Sequence, residues 1–395
     1  NGSLGLKDYY DTAVDSNGYV HIAYLAHTDQ NGIRYATNQS GSWQSFEIEQ
    51  NVTGMSSIAV DSNDNVHIAY FSARDSSGNA YANSKWALKH ATNENGSWAI
   101  SIVETGIDQN NARYQYGGKD PFKIIAIDSN DNVHIAFKDG GIKIANNTDG
   151  SWTVSSVSTT SDTIANQVII AIDSNDGLHL VWETYGKITG YHSNYHVKVV
   201  HSTNQSGTWS SSIIDEIDTG SSTINLYNII AHGSMVVDSN DNLHYFNYKG
   251  HFSGSSAYNR VKHFTLENGS WTNSTLKNSY CEHTSSDQCS LEVVIDSNDV
   301  IHITHEISED DVFGHNFLQY SNNADGYFGE TVEVEPATRA AEMIVHPNGD
   351  VDFIYAHKVQ PTHSNALYES LVLASMNNSE LNPALPMYEN NKIAT

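Results

Sequence analysis

Little in this 395-residue chain could staple it, interrupt it or anchor it: it has two cysteines and six prolines, and none of its apolar runs is long. A helix crossing a bilayer takes about 20 consecutive apolar residues, so no membrane span is expected. The chain opens with NGSLGLKDYY rather than a basic and then apolar segment, and we expect a mature secreted or cell-surface, extracellular protein. Basic residues are also scarce. Nineteen Lys and Arg stand against 46 Asp and Glu, a formal net charge of -27 that opposes extended contact with nucleic acid or an anionic membrane. Cys281 and Cys289 lie close together in the polar stretch CEHTSSDQC, and in an oxidising compartment they are expected to form a local disulfide. N-x-S/T sequons at Asn1, Asn38, Asn51, Asn95, Asn146, Asn204, Asn268, Asn273 and Asn377 permit a glycoprotein without arguing for one.

Repetition is what the chain has in abundance. AVDSNGYVHIAY (13–24), AVDSNDNVHIAY (59–70), AIDSNDNVHIAF (126–137), AIDSNDGLHLVW (171–182), VVDSNDNLHYFN (236–247) and VIDSNDVIHITH (294–305) are one motif, and IVHPNGDVDFIY (344–355) is a degenerate seventh copy. Each reads as an apolar strand, a turn rich in Asp, Ser, Asn and Gly, and a second apolar strand. A further strand and a Gly-Ser/Thr-Trp turn follow most copies, as in ATNQSGSW (36–43) and STNQSGTW (202–209), with the Trp opening a fourth strand. Antiparallel four-strand units at this spacing predict an all-β, seven-bladed β-propeller filling residues 1–395. The expected blades are 9–50, 51–105, 106–160, 161–217, 218–278, 279–335 and 336–395.

The repeats separate architecture from chemistry. His21, His67, His134, His179, His244 and His302 recur at one strand position, with Asp352 in the seventh copy, and are expected to pack and hydrogen-bond between blades. Asp15, Asp61, Asp128, Asp173, Asp238 and Asp296 are expected to cap their own turns, and the repeated Trp to anchor blade interfaces. Asp61, Asn63 and Asn65 have the spacing that begins a calcium loop but lack the later bidentate carboxylate. No cofactor is required on this reading, and the Asp-rich turns allow a structural Ca2+.

His232 and His251 fall outside the repeat, before the first strand and after the second strand of the fifth unit. The longer, more variable connections also gather Arg113, Tyr116, Tyr191, His192, His196, His283, His305 and Arg339. Scarce cations, imidazoles and phenols concentrated in such loops of an acidic protein suit a sugar carrying carboxylate or sulfate. Tyr would stack on it and Arg would make bidentate anion contacts.

A His on either side of the VVDSNDNLH hairpin, together with the repeat and GSW pattern over most of the chain, resembles the BNR-repeat propellers that include the ulvan lyases. The resemblance implies a polysaccharide lyase that cleaves a uronate-containing chain by β-elimination, with His and Tyr as base and acid and Arg neutralising the carboxylate. His232 or His251 would then be the base. Tyr258 as proton donor and Arg260 as carboxylate partner are placed by proximity in sequence. The expected partner is an acidic polysaccharide or glycan. The rival expectation is a non-catalytic disc: a lectin-like module, an adhesin, or a surface-layer or filament subunit that self-associates.

Overall fold

The computed structural model describes residues 10–26, 32–50, 56–74, 85–108, 123–158, 168–187, 195–218, 233–253, 256–276, 291–308, 316–328, 332–335, 341–359 and 368–377, with short pieces between them. Among these no helix is long and apolar enough to cross a membrane.

The fold is all-β, of propeller type, with four-stranded antiparallel blades. Blade 1 is built from Tyr10–Val14, Val20–Ala26, Gly32–Thr37 and Gln44–Gln50, and blade 2 from Ser56–Val60, Val66–Ser72, Lys85–Thr92 and Ala99–Asp108. Blade 3 is Ile125–Ile127, Val133–Lys138, Ile142–Asn146 and Thr153–Ser158. Blade 4 is Ile169–Ile172, Leu178–Lys187, Tyr195–Thr203 and Ser210–Asp218, with Thr163–Ile164 also paired to its second strand. Blade 5 is Gly233–Val237, Leu243–Ser253, Ser256–Glu267 and Ser270–Thr275, with Cys281–His283 added on its third strand. Blade 6 is Leu291–Ile295, Ile301–Ser308, Asn316–Asn322 and Val332–Glu335.

The expectation of seven four-stranded blades is corrected: six blades are complete among the described residues, and the seventh unit, blade 7, is not. Its sheet has three long strands, Ala341–Val345, Val351–Val359 and Tyr368–Asn377, but only the dipeptides Glu380–Leu381 and Leu385–Pro386 where a fourth strand belongs. The sequence there, ELNPALP, carries Pro383 and Pro386. Proline has no N–H to donate, so a continuous ladder is not available to this segment.

The chain divides into two compact units. Residues 1–109, 119–122 and 290–395 form one, with blades 1, 2, 6 and 7, and residues 110–118 and 123–289 form the other, with blades 3, 4 and 5. Within each unit the cores lie between neighbouring sheets. Leu25, Ile33 and Tyr35 of blade 1 pack on Ile58, Ile68 and Tyr70 of blade 2, and Val20, Ile22 and Tyr24 pack on Ile344 and Ile354 of blade 7. Leu178, Leu180 and Trp182 of blade 4 meet blade 3, whereas Val181 and Val199 meet Leu243, Tyr245 and Phe264 of blade 5. Alternate residues of one second strand thus serve two interfaces, as the two-residue period of a strand requires. The repeated Trp does anchor these interfaces: Trp98 of blade 2 packs edge-on against Tyr35 of blade 1 at 5.0 Å, and Trp271 of blade 5 against His201 of blade 4 at 5.4 Å.

The repeated Asp and His form one device. In blade 1 the Asp15 carboxylate accepts the backbone N–H of Asn17 (2.9 Å) and Tyr19 (2.8 Å), closing the turn, and its other oxygen lies 3.3 Å from His21 Nε2. The pair recurs as His67–Asp61, His134–Asp128, His179–Asp173 and His244–Asp238. The His therefore meets its own turn's Asp rather than a neighbouring blade's. On its far side the ring meets a phenol or a second imidazole, except in blade 3, where Ile144 takes that position and His134 Nδ1 has no hydrogen-bond partner among the described residues. Tyr35 and Tyr320 bond His21 and His302 at 2.6 and 2.7 Å, whereas His90, His201 and His263 bond His67, His179 and His244 at 2.9–3.0 Å.

Candidate functional site

Second and third strands differ in length, and the difference marks where a site can be built. They have 7 and 6 residues in blade 1 and 6 and 5 in blade 3, but 10 and 9 in blade 4 and 11 and 12 in blade 5. The Asp-rich turns cap one end of these strands, so the added length in blades 4 and 5 lies at the other end.

There the register of blade 5 brings together residues singled out in the sequence. His251 pairs directly with Tyr258, and two positions along Lys249 pairs with Arg260, which is exposed. Direct partners in an antiparallel pair have Cα atoms about 4.5–5.5 Å apart. The added strand continues the set, with Tyr258 opposite Glu282 and Ala257 opposite His283. In the neighbouring blade 4, His196 sits in the corresponding long hairpin, opposite Gly186. For His196, His251, Tyr258, Cys281 and His283 this backbone placement is what is described. His232, Arg113, Tyr116, Tyr191, His192, Arg339 and Cys289 lie outside the described residues.

His305 is not in a loop, as its position in the sequence had implied. It is fully buried in the strand Ile301–Ser308, in the slot that Tyr24, Tyr70, Phe137 and Trp182 fill in other blades. The same slot in blade 5 holds the buried Asn247.

Between blades 4 and 5, Asn247 hydrogen-bonds Glu183, a buried carboxyl that sequence reasoning missed. Burial pushes Glu183 up to about 8, so at neutral pH it is mostly the uncharged acid. In blade 3, Lys138 is lowered to about 8 by the same cause acting on a cation. Each lies four residues after the repeated His, in a column that holds Leu25, Phe71 and Tyr248 in other blades but Glu306 in blade 6, so alignment of the copies alone does not single them out.

No protein-family model and no curated protein matches the chain. Among solved structures the chain is similar to a PL25 polysaccharide lyase described as an ulvan lyase, with 13% identity and a TM-score of 0.55, over 96% of this chain and 91% of that one. A structure of an ulvan lyase of that family bound to -[GlcA(1-4)Rha3S]- aligns over the same shares at 14% identity and a TM-score of 0.55. The polysaccharide lyase Uly1 also aligns over 96% of this chain and 91% of that one, at 10% identity and a TM-score of 0.55. At such identities the likeness concerns the fold.

Proposed function

We propose that this protein acts on acidic, uronate-containing polysaccharide and cleaves it by β-elimination at the long hairpin of blade 5. The observation that carries the reading is the register that sets His251 directly opposite Tyr258, with Arg260 two positions along the same strand. The alignment with structures of polysaccharide lyases over nearly the whole chain supports it.

The chemistry needs three groups. The proton on C5 of a uronate becomes removable when the adjacent carboxylate is neutralised, because the charge that develops on proton removal spreads into that carboxyl group. Arg260 supplies the planar cation for it. His251, or His232, takes the proton as general base. Electrons from the C5–H bond form the C4=C5 double bond as the C4–O bond breaks, and Tyr258 protonates the departing oxygen. No water enters the products. Arg113, Tyr116, Tyr191, His192, His196, His283 and Arg339 are proposed to bind flanking sugars.

The test is the near-ultraviolet absorbance of the unsaturated uronate, followed on sulfated and uronate-rich algal polysaccharides. The parent is expected to give a rising trace that His251→Ala and Tyr258→Phe abolish, and Arg260→Lys to slow turnover by about 100-fold, roughly 2.7 kcal/mol of barrier. A flat trace on every substrate would sink the proposal and leave a binding or assembly module.

A further inference from the structure

The geometry points to a divalent-cation site of the zinc class in blade 2, formed by Asp61, His67 and Glu94, at the end of the blade that carries the Asp-rich turns. Asp61 Oδ2 lies 3.3 Å and Glu94 Oε1 3.6 Å from His67 Nε2, and all three donor atoms fall within 4.8 Å of one another. Zinc takes imidazole nitrogen and carboxylate oxygen at about 2.0–2.2 Å in tetrahedral array, which sets donor atoms about 3.3–3.5 Å apart. One imidazole and two carboxylates occupy three such corners, and a water would complete the fourth.

The sister blades make this arrangement specific. The position of Glu94 is Gln39 in blade 1 and Gln205 in blade 4. In blade 4 the Gln205 amide donates to Asp173 Oδ2. Blade 2 replaces that donor with a second carboxylate beside Asp61, an exchange that turns an attraction into repulsion unless a positive charge stands between them. The remaining lone pairs of Asp61 are already oriented: Oδ1 accepts the backbone N–H of Asn63 (2.9 Å) and Asn65 (2.8 Å), and Oδ2 accepts Asn65 Nδ2 at 2.8 Å.

A second observation concerns the other ring nitrogen. A metal-bound His almost always donates its remaining N–H to an acceptor that fixes its tautomer. His67 Nδ1 lies 3.0 Å from His90 Nε2. At that separation His90 Nε2 is placed to accept the Nδ1 N–H of His67. His67 Nε2 then presents its lone pair toward Asp61 and Glu94. The His67 side chain is fully buried and Asp61 nearly so, whereas the Glu94 side chain is 44% exposed, which gives the ion its entry. Such an ion would clip the turn between strands one and two to the turn between strands three and four of the same blade.

The experiment uses the full chain, stripped with a chelator and titrated with Zn2+ in competition with a fluorescent zinc indicator. Glu94→Gln restores the amide used by the sister blades and so keeps the fold. The parent is expected to bind one equivalent that Glu94→Gln loses, with affinity falling by more than about tenfold, the least that losing even an outer partner of a metal ligand costs. Melting temperature is expected to rise with Zn2+ in the parent and stay unchanged in the variant. Equal binding by parent and variant, no binding by either, or Ca2+ binding as tightly as Zn2+ would each overturn the assignment.

Discussion

The junctions between neighbouring blades and the seam between blades 7 and 1 solve the same packing problem with opposite chemistry. At an ordinary junction the Ser of one turn reaches the Asp of the next blade's turn. Ser16 donates its N–H (2.8 Å) and hydroxyl (2.9 Å) to Asp64, and Asn17 adds its amide at 2.9 Å. Ser129 and Asp176, and Ser174 and Asp241, repeat the clamp. The accepting Asp has positive φ, 63° at Asp64, 61° at Asp176 and 62° at Asp241, a conformation in which Gly would be cheaper. The clamp explains why Asp is kept there. At the seam both halves are gone: Pro347 stands where the donating Ser belongs and Gly18 where the accepting Asp belongs. Asp and His are also exchanged in blade 7, so that His346 Nε2 bonds Asp352 at 2.8 Å while the same ring hydrogen-bonds the Gly18 backbone across the seam. A polar cavity of about 480 Å3, lined in part by Asn17, His346, Asn348 and Asp350, occupies the place of the clamp.

The contrast extends to protonation. Burial lowers His21, His179 and His302, and drives His90, His201 and His263 down to about 3. The Asp352 hydrogen bond instead raises His346. A depressed His contributes stability that is present above its unfolded value of 6.5 and is lost as pH falls toward the folded value. A raised His does the reverse: its contribution is present below 6.5 and is lost as pH rises through the folded value.

The largest expected effect comes from erasing one side of that contrast. Tyr replaces the second imidazole in blades 1 and 6, so His201→Tyr keeps a hydrogen-bonding partner for His179 while removing a group that resists protonation. Denaturant unfolding across pH should show the variant's acid slope flattened by about 1.4 kcal/mol per pH unit below 6.5. A slope equal to the parent's would remove His201 from the account. Next comes the clamp. Asp64→Gly tolerates the backbone angle and deletes the acceptor, and a loss of about 1–3 kcal/mol is expected in unfolding free energy. The seam offers the control: Gly18→Asp combined with Pro347→Ser should show a favourable coupling of about 1 kcal/mol in a double-mutant cycle, beyond what either change gives alone. Zero coupling would mean that the Ser–Asp contact is incidental. The smallest effect is expected at His346, half-buried and solvated by the cavity: His346→Asn should cost less than about 1 kcal/mol, and only below neutral pH.

Six aligned copies made the hairpins, the Asp-capped turns, the Trp anchors and the structural standing of His244 legible, because each is a local pattern repeated at fixed offsets. The clamp was hidden because its partners, such as Ser16 and Asp64, come from different copies and meet only when blades stack. The exchange of His346 with Asp352 was visible as an irregularity without a meaning until the two side chains were seen to pair. Glu183 and His305 needed knowledge of which strand positions face a neighbouring sheet. At the candidate site, proximity in sequence placed Tyr258 and Arg260 beside His251, and the register of one long hairpin brought them together, since a short loop returns the chain directly upon itself. His232 and the more distant Arg113 and Arg339 have no such local constraint.

The central claim is elimination at the blade 5 hairpin, and the most direct test is mass spectrometry of the oligosaccharides released from a uronate-rich polysaccharide in heavy-oxygen water. The account predicts products with an unsaturated non-reducing end and no solvent oxygen incorporated at the cut, formed by the parent and absent with His251→Ala. Saturated products carrying heavy oxygen would show hydrolysis and contradict it.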